Sequence, residues 1–203
     1  MLYVVTGVSG SGKSEYAENL AVKLACGKPL YYVATMKPYG QEGQARIARH
    51  HKLRAGKGFE TIECYRSITQ ITERIGEDRV GEATILLECM SNLLANEMFN
   101  ETGVTNGDLT DGLLSGMSCI SRQCKHLIVV TNEVFADGIE YAPETEEYMR
   151  QLGRLNRELA GMADETVEVV YGIPMQIAER STDEINNQQL YHSYSYVFQN
   201  PHA

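Results

Sequence analysis

Short β-rich runs bounded by polar, Gly or Pro residues alternate along this chain with stretches of helical spacing. The runs are Leu2–Thr6, Leu30–Thr35, Thr84–Glu88, His126–Thr131 and Thr166–Tyr171, with Pro174–Ile177 as a further short one; Glu15–Leu24 reads as a helix after the first. Strands separated by helices imply right-handed crossovers and a mainly parallel central sheet with helices on both faces, an α/β architecture. Ligands gather at the carboxyl ends of such strands. Several runs end in chemically useful residues: a glycine-rich segment follows the first, Thr35 ends the second, Glu88 another, and Thr131-Asn132-Glu133 a fourth. The sequence has no internal repeat, and Asn100–Asp111, rich in Gly, Thr, Asn and Asp, reads as a surface loop. With 203 residues the chain is expected to form a single domain over residues 1–178. Residues 179–203 then make a polar tail of unassigned role, carrying Tyr191, Tyr194, Tyr196 and Phe198.

The glycine-rich segment is Gly7-Val8-Ser9-Gly10-Ser11-Gly12-Lys13-Ser14, which fills every fixed position of the phosphate-loop pattern G-x-x-x-x-G-K-[ST]. Glycines let successive backbone N–H groups turn toward phosphate oxygens, and the following helix adds the positive end of its dipole. Lys13 is placed to reach the β and γ phosphates, and the Ser14 hydroxyl to ligate Mg²⁺. A flexible Gly/Ser turn would need neither the strand before it nor the helix after it. Glu88 closes the apolar run Ala83-Thr84-Ile85-Leu86-Leu87, as the acidic residue of a Walker B strand does, and a carboxylate there suits a hard cation such as Mg²⁺. A glutamate that merely caps the next helix is the competing reading. Glu63 follows Thr61-Ile62 in the same way and is a weaker candidate for a ribose hydroxyl or the metal.

Charge narrows the partners. A formal net charge of −9 and a pI near 5.1 disfavour broad nucleic-acid binding, so any anion site has to be locally basic. Cys26, Cys64, Cys89, Cys119 and Cys124 form an odd set without a C-x-x-C pair, which suggests reduced, mostly buried thiols in a cytoplasm. No apolar stretch approaches the roughly 20 residues of a membrane span, and the first residues lead straight into a strand.

One basic segment stands out: Ala45-Arg46-Ile47-Ala48-Arg49-His50-His51-Lys52-Leu53-Arg54. On a helix, Arg46, His50 and Arg54 share a face, with His51 turned away by about 100°. Two guanidiniums disfavour a third cation, so the His50 imidazole is held neutral and its lone pair kept available as a nucleophile toward phosphorus. A solvated basic helix face is the competing reading, and proximity to the phosphate loop decides between them.

Together these segments resemble the bifunctional adenosylcobinamide kinase/adenosylcobinamide-phosphate guanylyltransferases of cobalamin biosynthesis. The likeness covers about residues 2–177 and rests on Val5-Thr6-Gly7 leading to Gly12-Lys13-Ser14, Tyr32-Val33-Ala34-Thr35, Arg46-Ile47-x-x-His50 with Arg54, and Leu86-Leu87-Glu88-Cys89 with Ser91-Asn92-Leu93-Leu94. Val130-Thr131-Asn132-Glu133-Val134, Gly153-Arg154-Leu155-Asn156 and Ala163-Asp164-Glu165 follow in the family's order. The resemblance implies a RecA-like phosphate-loop domain with ATP and GTP as substrates. A hydroxyl of adenosylcobinamide takes a γ-phosphoryl group, and GTP then gives its GMP unit through a guanylyl-histidine, here His50, to yield adenosylcobinamide-GDP and pyrophosphate. It further implies nucleotide contacts from the loop, Thr35, Met36, Lys37, His51, Lys52, Leu53, Arg54, Glu63 and Glu88, and a homo-oligomer, of the trimeric kind toward which the family tends. Gly10-Ser11 departs from the family's common Arg-Ser, and Phe135–Pro143 from its G-x-G-I-V-P segment. A plain small-metabolite kinase would need only the loop and Glu88.

Overall fold

Strand β1 (Leu2–Thr6) lies inside a seven-stranded sheet of the computed structural model, flanked by strands that come more than a hundred residues later. The structure describes residues 1–38, 48, 52, 54–100, 103–105, 107–133 and 141–179. After β1 come helix α1 (Lys13–Ala25), β2 (Leu30–Ala34), β3 (Glu60–Glu63), α2 (Gln70–Ile75), α3 (Glu77–Val80) and β4 (Thr84–Glu88). Then follow α4 (Met90–Met98), a small hairpin β5 (Phe99–Asn100) and β6 (Gly103–Val104), α5 (Thr110–Gln123), β7 (His126–Val130), α6 (Pro143–Met162), β8 (Glu165–Val170) and β9 (Ile173–Glu179).

The sheet order is β3-β2-β4-β7-β1-β8-β9, parallel throughout except for the final β8–β9 pair. Period-two alternation divides its residues between two cores. Tyr3, Val5, Tyr32, Leu86, Ile128 and Val130 pack under Ala17, Ala21 and Ala25 of α1. Leu2, Val4, Tyr31, Val33, Ile85, Leu87, Leu127 and Val129 pack on the other side with residues of α2 to α6, among them Ile71, Leu93, Met117 and Leu155. Small alanines on α1 let that single helix lie close to the strands. The mainly parallel sheet with helices on both faces is as expected from the alternation of runs.

Three local readings change. β3 has a single part-buried apolar residue, Ile62, and owes its strand state to parallel pairing with β2, which no residue pattern announces. The expected loop at 100–111 contributes to the β5–β6 hairpin and, from Thr110, to α5; Asp108 Oδ1 accepts the Thr110 N–H at 2.9 Å and Gln151 Oε1 the Leu109 N–H at 3.0 Å. The five cysteines are free, with Cys64, Cys89 and Cys124 buried but Cys26 exposed.

Leu87 lies at the middle of the larger core with no exposed surface. Leu87→Ala is expected to lower unfolding free energy by about 2–5 kcal/mol, the cost of lost transfer energy plus a cavity. A urea titration measures this; a loss below 1 kcal/mol in that titration would mean that the core closes around the gap.

Candidate nucleotide site

Pairing register lines up the carboxyl ends of the strands: Glu63 stands opposite Ala34, Ala34 opposite Glu88, Glu88 opposite Val130, and Val130 opposite Val5. The phosphate loop, Thr35, Glu88 and Thr131-Asn132-Glu133 therefore share one edge. The loop's backbone requires its glycines. Gly7, Gly10 and Gly12 have φ of 145°, 78° and 93°, and a Cβ on Gly7 would stand 2.6 Å from Val169 O. Gly12, the N-cap of α1, has no side chain to make a cap hydrogen bond, which leaves the first N–H groups of the helix suited to an anion among the described residues. The loop is braced from behind by the β8–β9 turn, where Gly172 N–H donates to Ser11 O at 2.7 Å.

Lys13 is buried and its Nζ donates to Val8 O at 2.9 Å, across the loop's own span. Burial lowers its pKa, while Cys89, Glu88 and Glu133 act in the opposite sense. Ser14 Oγ donates to Glu88 Oε1 in a very short contact, and Tyr32 Oη donates to Glu88 Oε2 at 3.1 Å. Both oxygens of that buried carboxylate are thus fixed, and Ser14 and Glu88 offer adjacent hard oxygen donors of the kind Mg²⁺ takes. Among the described residues no cluster of three or more His, Cys, Asp or Glu could hold a metal by itself.

Thr35 has no exposed surface. Its hydroxyl accepts Cys89 N–H at 2.7 Å and donates to Cys89 O at 2.9 Å, and its own N–H donates to Glu88 O. Its side chain braces the turn after β4 rather than lining the edge, and the part-exposed Met36 and Lys37 follow it there. Glu63 is exposed at the end of the outermost strand and accepts Tyr65 Oη at 2.9 Å.

From the basic segment, Lys52 is exposed and Arg54 is 6 % exposed. The Arg54 guanidinium carbon sits 3.4 Å from the centroid of the Tyr32 ring, and its buried Nη1 has no hydrogen-bond partner among the described residues. The nucleophile expected at His50 lies outside the described residues, as do Arg46, His51 and Leu53, and residues 135–140 of the altered segment.

Residue types named Ser91, Asn132 and Asn156 but not the contacts that join them into a second layer of the site. Asn132 Nδ2 donates to Ser91 Oγ at 2.6 Å, Ser91 Oγ lies 2.9 Å from Cys89 Sγ, and Asn156 of α6 ties Thr131 Oγ1 (2.6 Å) to Asn132 O (3.1 Å). These partners lie on α4, α6 and the end of β7, and only the fold brings them together. Glu133 Oε1 accepts Thr6 Oγ1 at 3.4 Å; burial first, then Glu168, raises its pKa above the ordinary carboxylate value.

Fold and site together define a phosphate-loop nucleotide-binding enzyme. Over residues 3–177 the sequence matches the family described as cobinamide kinase / cobinamide phosphate guanyltransferase, CobU, and the chain belongs to that family. It is 31 % identical over 190 residues to the bifunctional adenosylcobalamin biosynthesis protein CobU of Salmonella typhimurium, covering 87 % of this chain and 99 % of that protein. The protein of the same name from Escherichia coli is 30 % identical with the same coverage. Among solved structures, the flagellar accessory protein FlaH of Methanocaldococcus jannaschii aligns over 82 % of this chain and 70 % of its own at 15 % identity, with a TM-score of 0.47. Among the described residues no helix is long and apolar enough to cross a membrane.

A raised Glu133 pKa means that the native state binds this proton more tightly than the unfolded chain. Its stabilising contribution is then present below the ordinary glutamate pKa of about 4.3 and is lost as pH rises through the raised value. Glu133→Gln is accordingly expected to melt above the parent at pH 8 and to lose that advantage below about pH 4. Thermal melts across pH check this, and a parent that is the more stable protein at pH 8 would contradict it.

Proposed function

We propose that one phosphate loop serves both reactions of the family in this chain, phosphorylation of adenosylcobinamide from ATP or GTP and transfer of GMP from GTP to the resulting phosphate. The observation that carries this reading is the single-edge convergence of the loop, the Ser14–Glu88 pair and buried Arg54. Loop N–H groups and Lys13 bind the phosphate oxygens and stabilise charge that grows on them as the bridging bond breaks. Ser14 and Glu88 would hold Mg²⁺, which would supply positive charge to neutralise the phosphate oxygens.

In the first reaction the substrate hydroxyl oxygen bonds to the γ phosphorus, the β–γ bridge breaks to release the nucleoside diphosphate, and the hydroxyl proton leaves. In the second, a neutral His50 nitrogen bonds to the α phosphorus of GTP and pyrophosphate departs. An oxygen of the cobinamide phosphate then takes the guanylyl group and frees the imidazole. Arg54 steadies phosphate oxygens in that step. Met36, Lys37, His51, Lys52, Leu53 and Glu63 complete the nucleotide contacts, residues 1–178 form the working domain, and the chain assembles as a homo-oligomer, a trimer in this reading.

Incubation with α-labelled GTP tests the covalent step. The adduct is expected on His50, labile to acid and stable to alkali, with labelling that falls as acid protonates the ring near or below pH 6.5. His50→Ala should abolish it while sparing much of the kinase reaction, and His51→Ala should still be labelled. Absence of any adduct in the parent would reduce the protein to a kinase. Lys13→Ala should depress both reactions together by about 10²-fold or more. Near-normal kinase rates in that variant would show that the loop lysine is not the shared electrostatic element.

A further inference from the structure

Tyr32 sits in the middle of β2, 4 % exposed, in a run that reads as ordinary core. Its side chain emerges on the α1 face of the sheet, paired in register with Leu86, while Ala34 two residues on pairs with Glu88. A methyl group at position 34 leaves room for the phenol to reach diagonally along the pleat to the Glu88 carboxylate, a span that aromatic side chains cover between neighbouring strands. The 3.1 Å bond to Glu88 Oε2 follows. Phe59 closes the ring from one side at 6.1 Å, edge-on at 84°, and the Arg54 guanidinium covers it at 3.4 Å from the centroid.

Resting on the reading of Ser14, Glu88 and Arg54 as nucleotide-site residues, we infer that Tyr32 is a positioning residue that couples the metal-side carboxylate to the arginine of the basic segment: its hydroxyl orients Glu88 and its ring seats Arg54. A carboxylate on a strand end can rotate; Tyr32 occupies Oε2 and leaves Oε1 toward Ser14. A phenol titrates at about pH 10, so the Tyr32 hydroxyl is a donor at working pH. Arg54 carries a buried Nη1 without a partner among the described residues, a donor suited to an anion, and the ring face compensates part of the cost of burying its charge. One side chain thereby supports groups that act on the nucleotide from two directions.

Equilibrium binding of a fluorescent GTP analogue, measured with Mg²⁺ and again with EDTA, separates the two roles without turnover. Tyr32→Phe keeps the ring and removes the hydroxyl. It should cut the affinity gain due to Mg²⁺ by about tenfold, as for a lost hydrogen bond to a charged group, while leaving affinity in EDTA within about twofold of the parent. Tyr32→Leu should in addition weaken binding in EDTA by about threefold or more, because Arg54 loses its seat. An unchanged Mg²⁺ gain in Tyr32→Phe overturns the inference, as does an equal loss with and without Mg²⁺ in a variant that melts like the parent. EDTA affinity in Tyr32→Leu equal to that of Tyr32→Phe removes the seating role. Glu88→Gln keeps this result distinct from the underlying reading: if it abolishes the Mg²⁺ gain and Tyr32→Phe leaves the gain unchanged, only the Tyr32 inference fails. If Glu88→Gln leaves the gain intact, both fail.

Discussion

A parallel sheet has to be covered on both faces, and that constraint organises everything else in this protein. Its inner strands β2, β4, β7 and β1 are apolar on either side and cannot meet water, so α1 closes one face and α2 to α6 the other. Polar chemistry is then confined to the borders. Because β2, β3, β4, β7, β1 and β8 all run the same way, their chain exits form a single border where the loop, Glu88 and the end of β7 meet. The site is a by-product of strand direction before it is a matter of side chains.

Electrostatics sharpen this. The protein carries a net charge of −9 and yet has to hold a polyanion. Among the described residues, the cations beside the loop and Glu88 are individually arranged: Lys13 folded over its own loop and Arg54 laid on an aromatic ring. Each is restrained by packing or a fixed partner, which lowers the entropy lost on binding. A surface of mobile lysines would attract many anions; this arrangement selects by geometry.

What could be read from residues alone was whatever is written in local pattern. The apolar runs showed β1, β2, β4, β7 and β8 within a residue or so of their observed ends, and Gly7 to Ser14 announced a loop whose positive φ angles require those glycines. Glu88 was legible because it ends such a run. β3 was not, since Glu60–Glu63 holds one apolar residue and is a strand only through its neighbour. Thr35, Ser91, Asn132 and Asn156 were named in the sequence, but their contacts were not legible for a related reason: a hydroxyl or amide says nothing of its partner, and the partners that tie the site together stand 24 to 54 positions away. Tyr32 was hidden by resembling the core it belongs to. Its two useful contacts come from its rim and its face, not from its hydrophobicity.

The place of β1 in the sheet bears on how the chain is made. Its hydrogen-bonding neighbours, β7 and β8, span residues 126–170, and the turn that braces the loop from behind includes Gly172. A ribosome emitting the chain from its amino end therefore releases the phosphate-loop segment first and completes its surroundings near the end. β7 can join β1 once residue 130 has emerged, but until about residue 172 has emerged the segment lacks its second adjoining strand and the support behind it. Nucleotide cannot assist the folding of earlier intermediates by mass action, because the form that binds it does not yet exist. Synthesis and ligand binding are ordered in time by topology alone.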